Sequence, residues 1–152
     1  MKNFFYYLFF SLLILSSCQT DSSKQVENDG TLENNNVYTH SEVDVLPRFP
    51  GCENQSEEKK IGCASSKMFN FLRENVKYPK LAKEEGKEGR AVVSFVVDKS
   101  GKIRDVEVVK DPGNEMGKEA KRVIEKFPTW VPGLLEGNKV NVKFILPVTF
   151  KL

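Results

Sequence analysis

The cysteines and the histidine are the residues of this sequence whose types could do covalent or metal chemistry. There are three cysteines, Cys18, Cys52 and Cys63, and one histidine, His40. His40 lies in a polar stretch, where a solvated side chain is a better explanation than a catalyst or metal ligand. One histidine there cannot complete a Ser/His/Asp or Cys/His set, and no glycine-rich phosphate loop follows a strand-like segment. The sequence therefore predicts a protein that is not an enzyme and has no metal site or cofactor.

Cys18 directly follows a short apolar leader. A basic residue precedes an apolar run from Phe4 to Leu15, about a dozen residues, whereas a membrane-spanning helix needs roughly 20. The four residues that end at Cys18, Leu-Ser-Ser-Cys, resemble the lipobox of bacterial lipoproteins, in which the cysteine is acylated. We therefore expect residues 1–17 to be a signal peptide and Cys18 to carry lipid. The alternative is a soluble secreted protein cut near Ser17.

Cys52 and Cys63 remain once Cys18 is assigned to lipid. An even number of cysteines in an oxidising compartment favours a disulfide between them. A metal pair is the competing interpretation, but two thiols without histidine or further cysteine fall short of a tetrahedral site. The bond would pin an extended arm, residues 46–52, to the helix that follows.

Residues 18–45 are polar and low in aromatics, so they cannot bury enough surface to offset their ordering entropy. We interpret them as a flexible tether, followed by a folded domain over residues 46–152. In that domain, residues 46–77 form an arm and a helix, and residues 78–152 form the core. The formal net charge of +2 is too small, and the lysines are too interleaved with glutamates, for phosphate-driven nucleic-acid binding.

Hydrophobic periodicity and turn signals predict six elements in this domain. They are a helix from Ser65 or Ser66 to Val76 with Met68, Phe69 and Leu72 on its apolar face, a short helix Pro79 to Glu85, strands Ala91 to Val97 and Ile103 to Val109, a helix Glu115 to Phe127 capped by Asn114, and a last strand from Val140 onward.

The last strand has apolar residues at every even position from Val140 to Leu152, which is typical of a strand with one buried face. Pro147 interrupts its odd positions, and because proline cannot donate to a ladder this indicates an edge strand. We expect an α+β fold of two layers, in which a three-stranded antiparallel sheet of order 2-1-3 carries the helices on one face.

At this point residues 78–152 resemble the C-terminal domain of TonB-type energy transducers. The motif residues that carry the likeness are Tyr78, Pro79, Gly89, Trp130, Pro132 and Gly133, together with the terminal Val142-Lys143-Phe144. The arm and its cysteine also resemble the extension that precedes this domain in one bacterial branch of the family. In this order and spacing the motifs are fairly specific.

The resemblance implies a periplasmic module that binds the TonB box, a short extended peptide of outer-membrane TonB-dependent transporters. The peptide would be added as a strand to the edge of the last strand, at Asn141, Val142, Lys143, Phe144 and Ile145, with backbone bonds providing affinity. A full transducer complex would be a second partner. The membrane would be reached through the lipid anchor.

Two features depart from that family. Its transducers usually have an N-terminal transmembrane helix and a proline-rich spacer, and here we expect a lipid anchor and a polar tether instead. Direct transduction of the proton gradient is therefore in doubt. We expect a lipid-anchored protein of the cell envelope that faces the periplasm, with the choice of inner or outer membrane open. The alternative is a structural or self-associating envelope lipoprotein that uses the same domain.

Overall fold

The computed structural model describes residues 35–152, so the expectations for Cys18 and the signal peptide lie outside the described residues. The elements are, in chain order, β1 (Val37–Tyr38), a 3₁₀ turn (His40–Glu42), α1 (Glu57–Asn75), α2 (Lys80–Glu84), β2 (Gly89–Val97), β3 (Ile103–Lys110), α3 (Met116–Ile124), β4 (Gly133–Leu135) and β5 (Asn138–Phe150).

The sheet contains the three predicted strands in their predicted order, with β2 antiparallel to both β3 and β5. The expectation of a purely antiparallel sheet of three strands is wrong, because two further strands lie on β5. β1 pairs with β5 in parallel and β4 pairs with it antiparallel, which gives a mixed sheet. Both additions are two or three residues long. The α+β class is confirmed.

The alternation predicted for the last strand is confirmed. Val140, Val142, Leu146, Val148 and Phe150 are buried, whereas odd positions from Lys143 onward are exposed. β2 provides the other half of the same buried face through Ala91, Val93, Phe95 and Val97, each fully buried. Strands with a period of two thus place one apolar layer against the helices.

All three helices pack on that face of the sheet. Ala64, Met68 and Leu72 of α1, Ala82 of α2, and Ala120, Val123 and Ile124 of α3 belong to one buried cluster with the strand residues. Its centre is aromatic: Trp130 lies within 6 Å of the rings of Phe49, Phe95, Phe127 and Phe144. Three of these four pairs are edge-to-face and the Phe127 pair is tilted, and such ring contacts add to the free energy gained from area burial.

The first helix differs from its prediction. It begins at Glu57 with Ser56 as N-cap, well before Ser65 or Ser66, and it contains Gly62 and Cys63. Two acidic residues in the first turn interact favourably with the positive end of the helix dipole there. Phe69, expected on the apolar face, is 56% exposed, whereas Met68 and Leu72 are buried as predicted.

The two later helices agree more closely with the sequence. α2 has Pro79 as N-cap and is followed by Gly86 at φ +60°. α3 lies inside the predicted range, but Asn114 is not its cap: Glu115 is the N-cap and both residues have positive φ. The Asn114 amide instead donates to the Glu85 carboxylate at 2.8 Å, which connects α3 to the end of α2.

The disulfide between Cys52 and Cys63 is confirmed. It joins the arm to the second turn of α1, and Pro47 and Phe49 of the arm are buried. The Phe49 ring contacts Phe71 of α1 and Phe127 after α3, at centroid distances of 5.7 and 5.6 Å. The arm therefore belongs to the folded core.

Candidate functional site

The outer edge of β5, called here the β5 rim, is the side of the strand that faces away from β2. Its start is covered by β1, which pairs with Asn141 and Val142 on the side opposite β2, just after the residues Asn138, Lys139 and Val140 that pair with β4. From Lys143 to Phe150, no strand of the described part of the chain pairs on this side. Of the five residues in the sequence-based peptide edge, two are therefore covered and three are open.

Pro147 indicates which backbone groups point to the β5 rim. It lies opposite Val92 of β2, and β2 pairs with β5 all the way to Phe150. A proline is tolerated in such a strand where its missing N–H would face away from the ladder. Backbone groups alternate along a strand, so the N–H groups of Lys143 and Ile145 also face the β5 rim.

Residues 36–42, called here the strap, cover the first part of the β5 rim. Val37 and Tyr38 lie beside Asn141 and Val142 in parallel register. The Asn141 side chain is buried and makes two contacts: its Nδ2 donates to the Asn36 carbonyl at 3.2 Å, and its Oδ1 accepts from the Lys99 N–H at 3.1 Å. Asn141 therefore ties the strap to the turn between β2 and β3.

The strap leaves β5 in the 3₁₀ turn. The Thr39 amide and hydroxyl both donate to one carboxylate oxygen of Glu42 at 2.6 Å, and these bonds lower the pKa of the Glu42 carboxyl. Thr39 and His40 then line a cavity of about 300 Å³ with Lys143, Phe144 and Ile145 of β5. The three open residues of the peptide edge thus border this turn.

A groove runs beside the far half of β5. It has a volume of about 490 Å³ and is lined by α1 residues Phe69, Leu72, Arg73 and Val76, by Tyr78, and by β5 residues from Pro147 to Phe150 with Lys151. Phe69 contributes an apolar side chain to this groove, and more than half of that side chain is exposed. The open rim therefore adjoins a partly apolar surface.

The opposite edge of the sheet, on β3, is poorly suited to accept a strand. Arg104 and Asp105 form an ion pair there, and Asp105 has φ +53°. The register with β2 shifts twice along this strand. Charges and bulges of this kind prevent edge pairing in natural sheets.

The family motif residues lie in structural positions around the sheet. The Tyr78 ring packs edge-on against Phe150, and its hydroxyl donates to the Lys87 carbonyl at 2.6 Å. Burial, together with the charge of Glu88, raises the pKa of Tyr78. Pro79 caps α2.

The remaining motif residues fix the two ends of the sheet. Gly89 opens β2 opposite Phe150, and Trp130 is buried. Gly133 begins β4 after the half-buried Pro132, and a Cβ on it would lie 2.8 Å from Val142 and 2.9 Å from Pro47. Only glycine allows this approach, so the motif positions the β4–β5 hairpin from which β5 begins.

Sequence reasoning missed the strap and the role of Asn141. Two apolar residues between Asn36 and Thr39 are too few for a periodicity signal, and Asn141 was expected on the exposed face. The only hint was that Val37 and Tyr38 interrupt an otherwise polar stretch.

The described residues offer no alternative chemistry at this site. Between residues 35 and 152, no group of three or more His, Cys, Asp or Glu side chains could hold a metal ion. Across the same residues, no helix combines the length and the apolar character needed to cross a bilayer. The feature that stands out is the backbone of a partly open strand.

Comparisons with known proteins identify the family of the domain. Residues 74–152 match the family model described as "Gram-negative bacterial TonB protein C-terminal". No curated protein matches the chain. Similar solved structures include the Helicobacter pylori TonB C-terminal domain, residues 194–285, at 25% identity and a TM-score of 0.45, covering 57% of this chain and 91% of that one.

Two other solved structures are similar to parts of the chain. The longer Helicobacter pylori domain, residues 179–285, is 24% identical over 66% of this chain and 88% of its own, with a TM-score of 0.42. The Pseudomonas aeruginosa TonB C-terminal domain is 26% identical over 50% of this chain and 77% of its own, with a TM-score of 0.39. Because the family model covers more than half of the sequence, the chain belongs to the family of Gram-negative bacterial TonB C-terminal domains.

Proposed function

We propose that this protein is a lipid-anchored module of the cell envelope that binds TonB-box-like peptides of outer-membrane transporters by adding them as a strand to the β5 rim. Domains of this family are interaction domains of TonB-dependent transport and are not enzymatic. The bound peptide would pair along the edge that comprises Asn141, Val142, Lys143, Phe144 and Ile145.

The observation that carries the proposal is the open part of the β5 rim. Past the strap β5 has a strand on one side only, and the outward N–H of Ile145 has no ladder to donate to. Ile145 is 63% exposed beside them. An unpaired edge with an apolar side chain is the arrangement that accepts an extended peptide.

Pro147 sets the far limit of the pairing. It has no N–H, so an added strand loses a bond there. Beyond it, the groove lined by Phe69, Val76 and Tyr78 can receive side chains rather than backbone. We therefore expect a partner peptide to use backbone bonds along Lys143 to Ile145 and apolar contacts further on.

The anchor proposed at Cys18 shapes the role of the module. A lipid occupies one leaflet and presents no side chains to a motor within the bilayer. The protein would therefore act as an accessory to a full transducer, facing the periplasm from either membrane.

A proline substitution on the β5 rim tests the proposal. Lys143→Pro removes one outward N–H, while Lys143→Gln removes the charge and retains the donor. Titration of a synthetic TonB-box peptide should show at least a tenfold weaker Kd for the proline variant and nearly unchanged binding for glutamine, because an exposed charge contributes about 0 to 1 kcal/mol. Thermal melts must show that both variants are folded. A larger loss for glutamine than for proline would mean that charge carries recognition.

Self-association through the same rim is the second candidate, and the exposed Ile145 on an open strand favours it. Light scattering over a range of protein concentrations separates the two. A monomer that binds the peptide supports the transporter role. A dimer that is lost in Lys143→Pro, without peptide binding by the wild type, supports self-association.

A further inference from the structure

We propose that the strap is an autoinhibitory strand: residues 36–42 occupy the start of the peptide edge of β5 and must be displaced before a partner strand can pair along all of it. This inference rests on the proposed strand addition and adds a regulatory step to it.

The strap and a partner strand would use the same backbone groups of β5. Val37 and Tyr38 pair with Asn141 and Val142, which are the first two residues of the proposed peptide edge. A β-strand edge accepts one neighbour at a time. Either the strap or a partner can therefore bind there, but both cannot.

The strap also limits access to the β5 residues that follow Val142. Its turn places Thr39 and His40 at the cavity bordered by Lys143, Phe144 and Ile145. An added strand that continued from Ile145 back toward Asn141 would enter this cavity and then meet the strap. The open and covered parts of the edge are thus one continuous site with a built-in occupant.

The strap itself is weakly held. Only two of its residues are in a strand, Val37 is 43% exposed, and the 3₁₀ turn has no buried residue. The Thr39 and Glu42 side chains bond to each other, within the strap. From β5, the Asn141 side chain donates to the Asn36 carbonyl.

The chain after the strap, in contrast, is firmly held. Val45 exchanges two backbone bonds with Leu134, at 2.9 and 3.1 Å, and Arg48 exchanges two with Val131, both at 2.9 Å. Phe49 is buried, and Cys52 is bonded to Cys63. Release that starts at Asn36 would therefore stop at Asp44, whose N–H donates to the Leu134 carbonyl at 3.0 Å and whose carboxylate accepts from the Glu136 N–H at 2.7 Å, and the folded core would remain intact.

The size of the effect follows from the closed fraction. If the strap is closed 90 to 99% of the time, the apparent affinity for a competing strand falls by about ten- to a hundredfold. A covalently linked strap competes at an effective concentration in the mM range, so a dilute peptide of the same sequence cannot displace it.

A strap-broken variant of the full chain, purified in detergent, tests this inference. Val37→Pro combined with Tyr38→Pro removes the strap N–H that faces β5, because consecutive N–H groups point to opposite sides of a strand, and it leaves the arm and disulfide in place. The matched control is Asn34→Pro with Asn35→Pro, which adds two prolines just before the strap. The probe is a fluorescent peptide of residues 34–43, Asn-Asn-Asn-Val-Tyr-Thr-His-Ser-Glu-Val, with a scrambled peptide as reference.

The strap-broken variant should bind the strap peptide at least tenfold more tightly than the wild type and the control, with no binding of the scrambled peptide. Amide hydrogen exchange of residues 140–143 should be faster in the variant and slow again when the peptide is added. Equal binding to all three proteins, or no binding to the variant, overturns the inference. So does a wild type whose mass rises with concentration and falls in the variant, because the strap would then dock on a second copy.

A TonB-box peptide titrated against the same three proteins separates this inference from the proposed function. Tighter binding to the strap-broken variant supports both. Equal binding to all three retains the function and rejects the strap as an inhibitor. If only the strap peptide binds the variant, the strap is a rim ligand and the transporter role is rejected.

Discussion

Single residues decide whether the edge of this sheet is correctly built. Gly101 ends the turn between β2 and β3 with φ +85°, and its carbonyl accepts the Trp130 N–H at 2.8 Å. A Cβ on Gly101 would lie 2.0 Å from the Trp130 carbonyl oxygen. The turn and the crossing that leads to β4 are therefore packed through one glycine.

Gly101→Ala should destabilise the protein by about 2 to 4 kcal/mol, because it combines left-handed strain with a backbone clash. Gly137→Ala is the matched control: its φ is +77°, but no atom lies within 4 Å of the new Cβ. We expect a loss of only about 1 kcal/mol there. Urea unfolding measures both, and equal losses would show that the clash is relieved without cost.

Asn141 shows what residue patterns cannot predict. Its position in the alternation places it among exposed residues, yet it is 4% exposed. The burial comes from partners 42 and 105 positions away in the sequence, Lys99 and Asn36. The alternation of apolar residues predicts which face of the sheet a side chain is on. It does not predict whether another segment of the chain covers that side chain.

At the scale of elements, a partly buried ion pair within α3, Glu119–Arg122, binds the backbone at the end of α1. Glu119 accepts from Arg122 at 2.6 Å and from the Lys77 N–H at 2.7 Å, and Arg122 also donates to the Asn75 carbonyl at 2.9 Å. Burial raises the pKa of Glu119, but the hydrogen bonds from Arg122 and Lys77 outweigh it and the pKa lies below its ordinary 4.5.

A carboxyl with a lowered pKa stabilises the fold above its unfolded pKa, and the contribution is lost as pH falls through the folded value. We expect Glu119→Gln to cost about 1 kcal/mol at pH 7 and to make stability less dependent on pH below about 4.5. Glu125→Gln, which removes the same charge from the end of α3, is the control. Parallel stability profiles of wild type and Glu119→Gln would contradict the assignment.

The disulfide acts at the same scale. Its cysteines are 11 residues apart, and closing so short a loop contributes about 2 to 3 kcal/mol in the chain-entropy treatment. The double variant Cys52→Ala, Cys63→Ala should lose about that much in urea unfolding while keeping Phe49 buried, since Pro47 and the bonds of Arg48 remain. A loss below 0.5 kcal/mol would show that packing alone holds the arm.

Elements with strong local signals were predictable and those defined by distant partners were not. The β5 alternation and the start of α2 at Pro79, which sequence placed one residue early, both follow from adjacent residues. β1 and β4 have two and three residues, and they are strands only because β5 lies beside them. The start of α1 was placed late because Gly62 weakens a helical pattern whose cap, Ser56, stands apart from the apolar residues.

For the whole molecule, the question is how a small interaction domain reaches its partner. The open edge of β5 was predictable from Pro147, because a proline in a long strand indicates a side that is not paired. The pairing of the strap with this edge was not predictable, because composition assigns residues 35–45 to the tether. In the structure these residues lie along β5 and β4, so the segment that leads toward the proposed anchor begins at the proposed binding site.

The last prediction concerns the anchor at that end. The lipobox-like residues before Cys18 and the short apolar leader support acylation there, and each buried CH₂ of an acyl chain adds about 0.8 kcal/mol to membrane binding. Cys18→Ala should therefore move the protein from the membrane pellet to the soluble envelope fraction, whereas the Cys52→Ala, Cys63→Ala variant should stay in the pellet. Fractionation after a high-salt wash measures this, because salt removes proteins held by charge alone. A Cys18→Ala protein that still pellets after the wash would place the attachment elsewhere. Release without loss of peptide binding would separate the anchor from the edge, so that the tether positions the domain and the β5 rim alone recognises the partner.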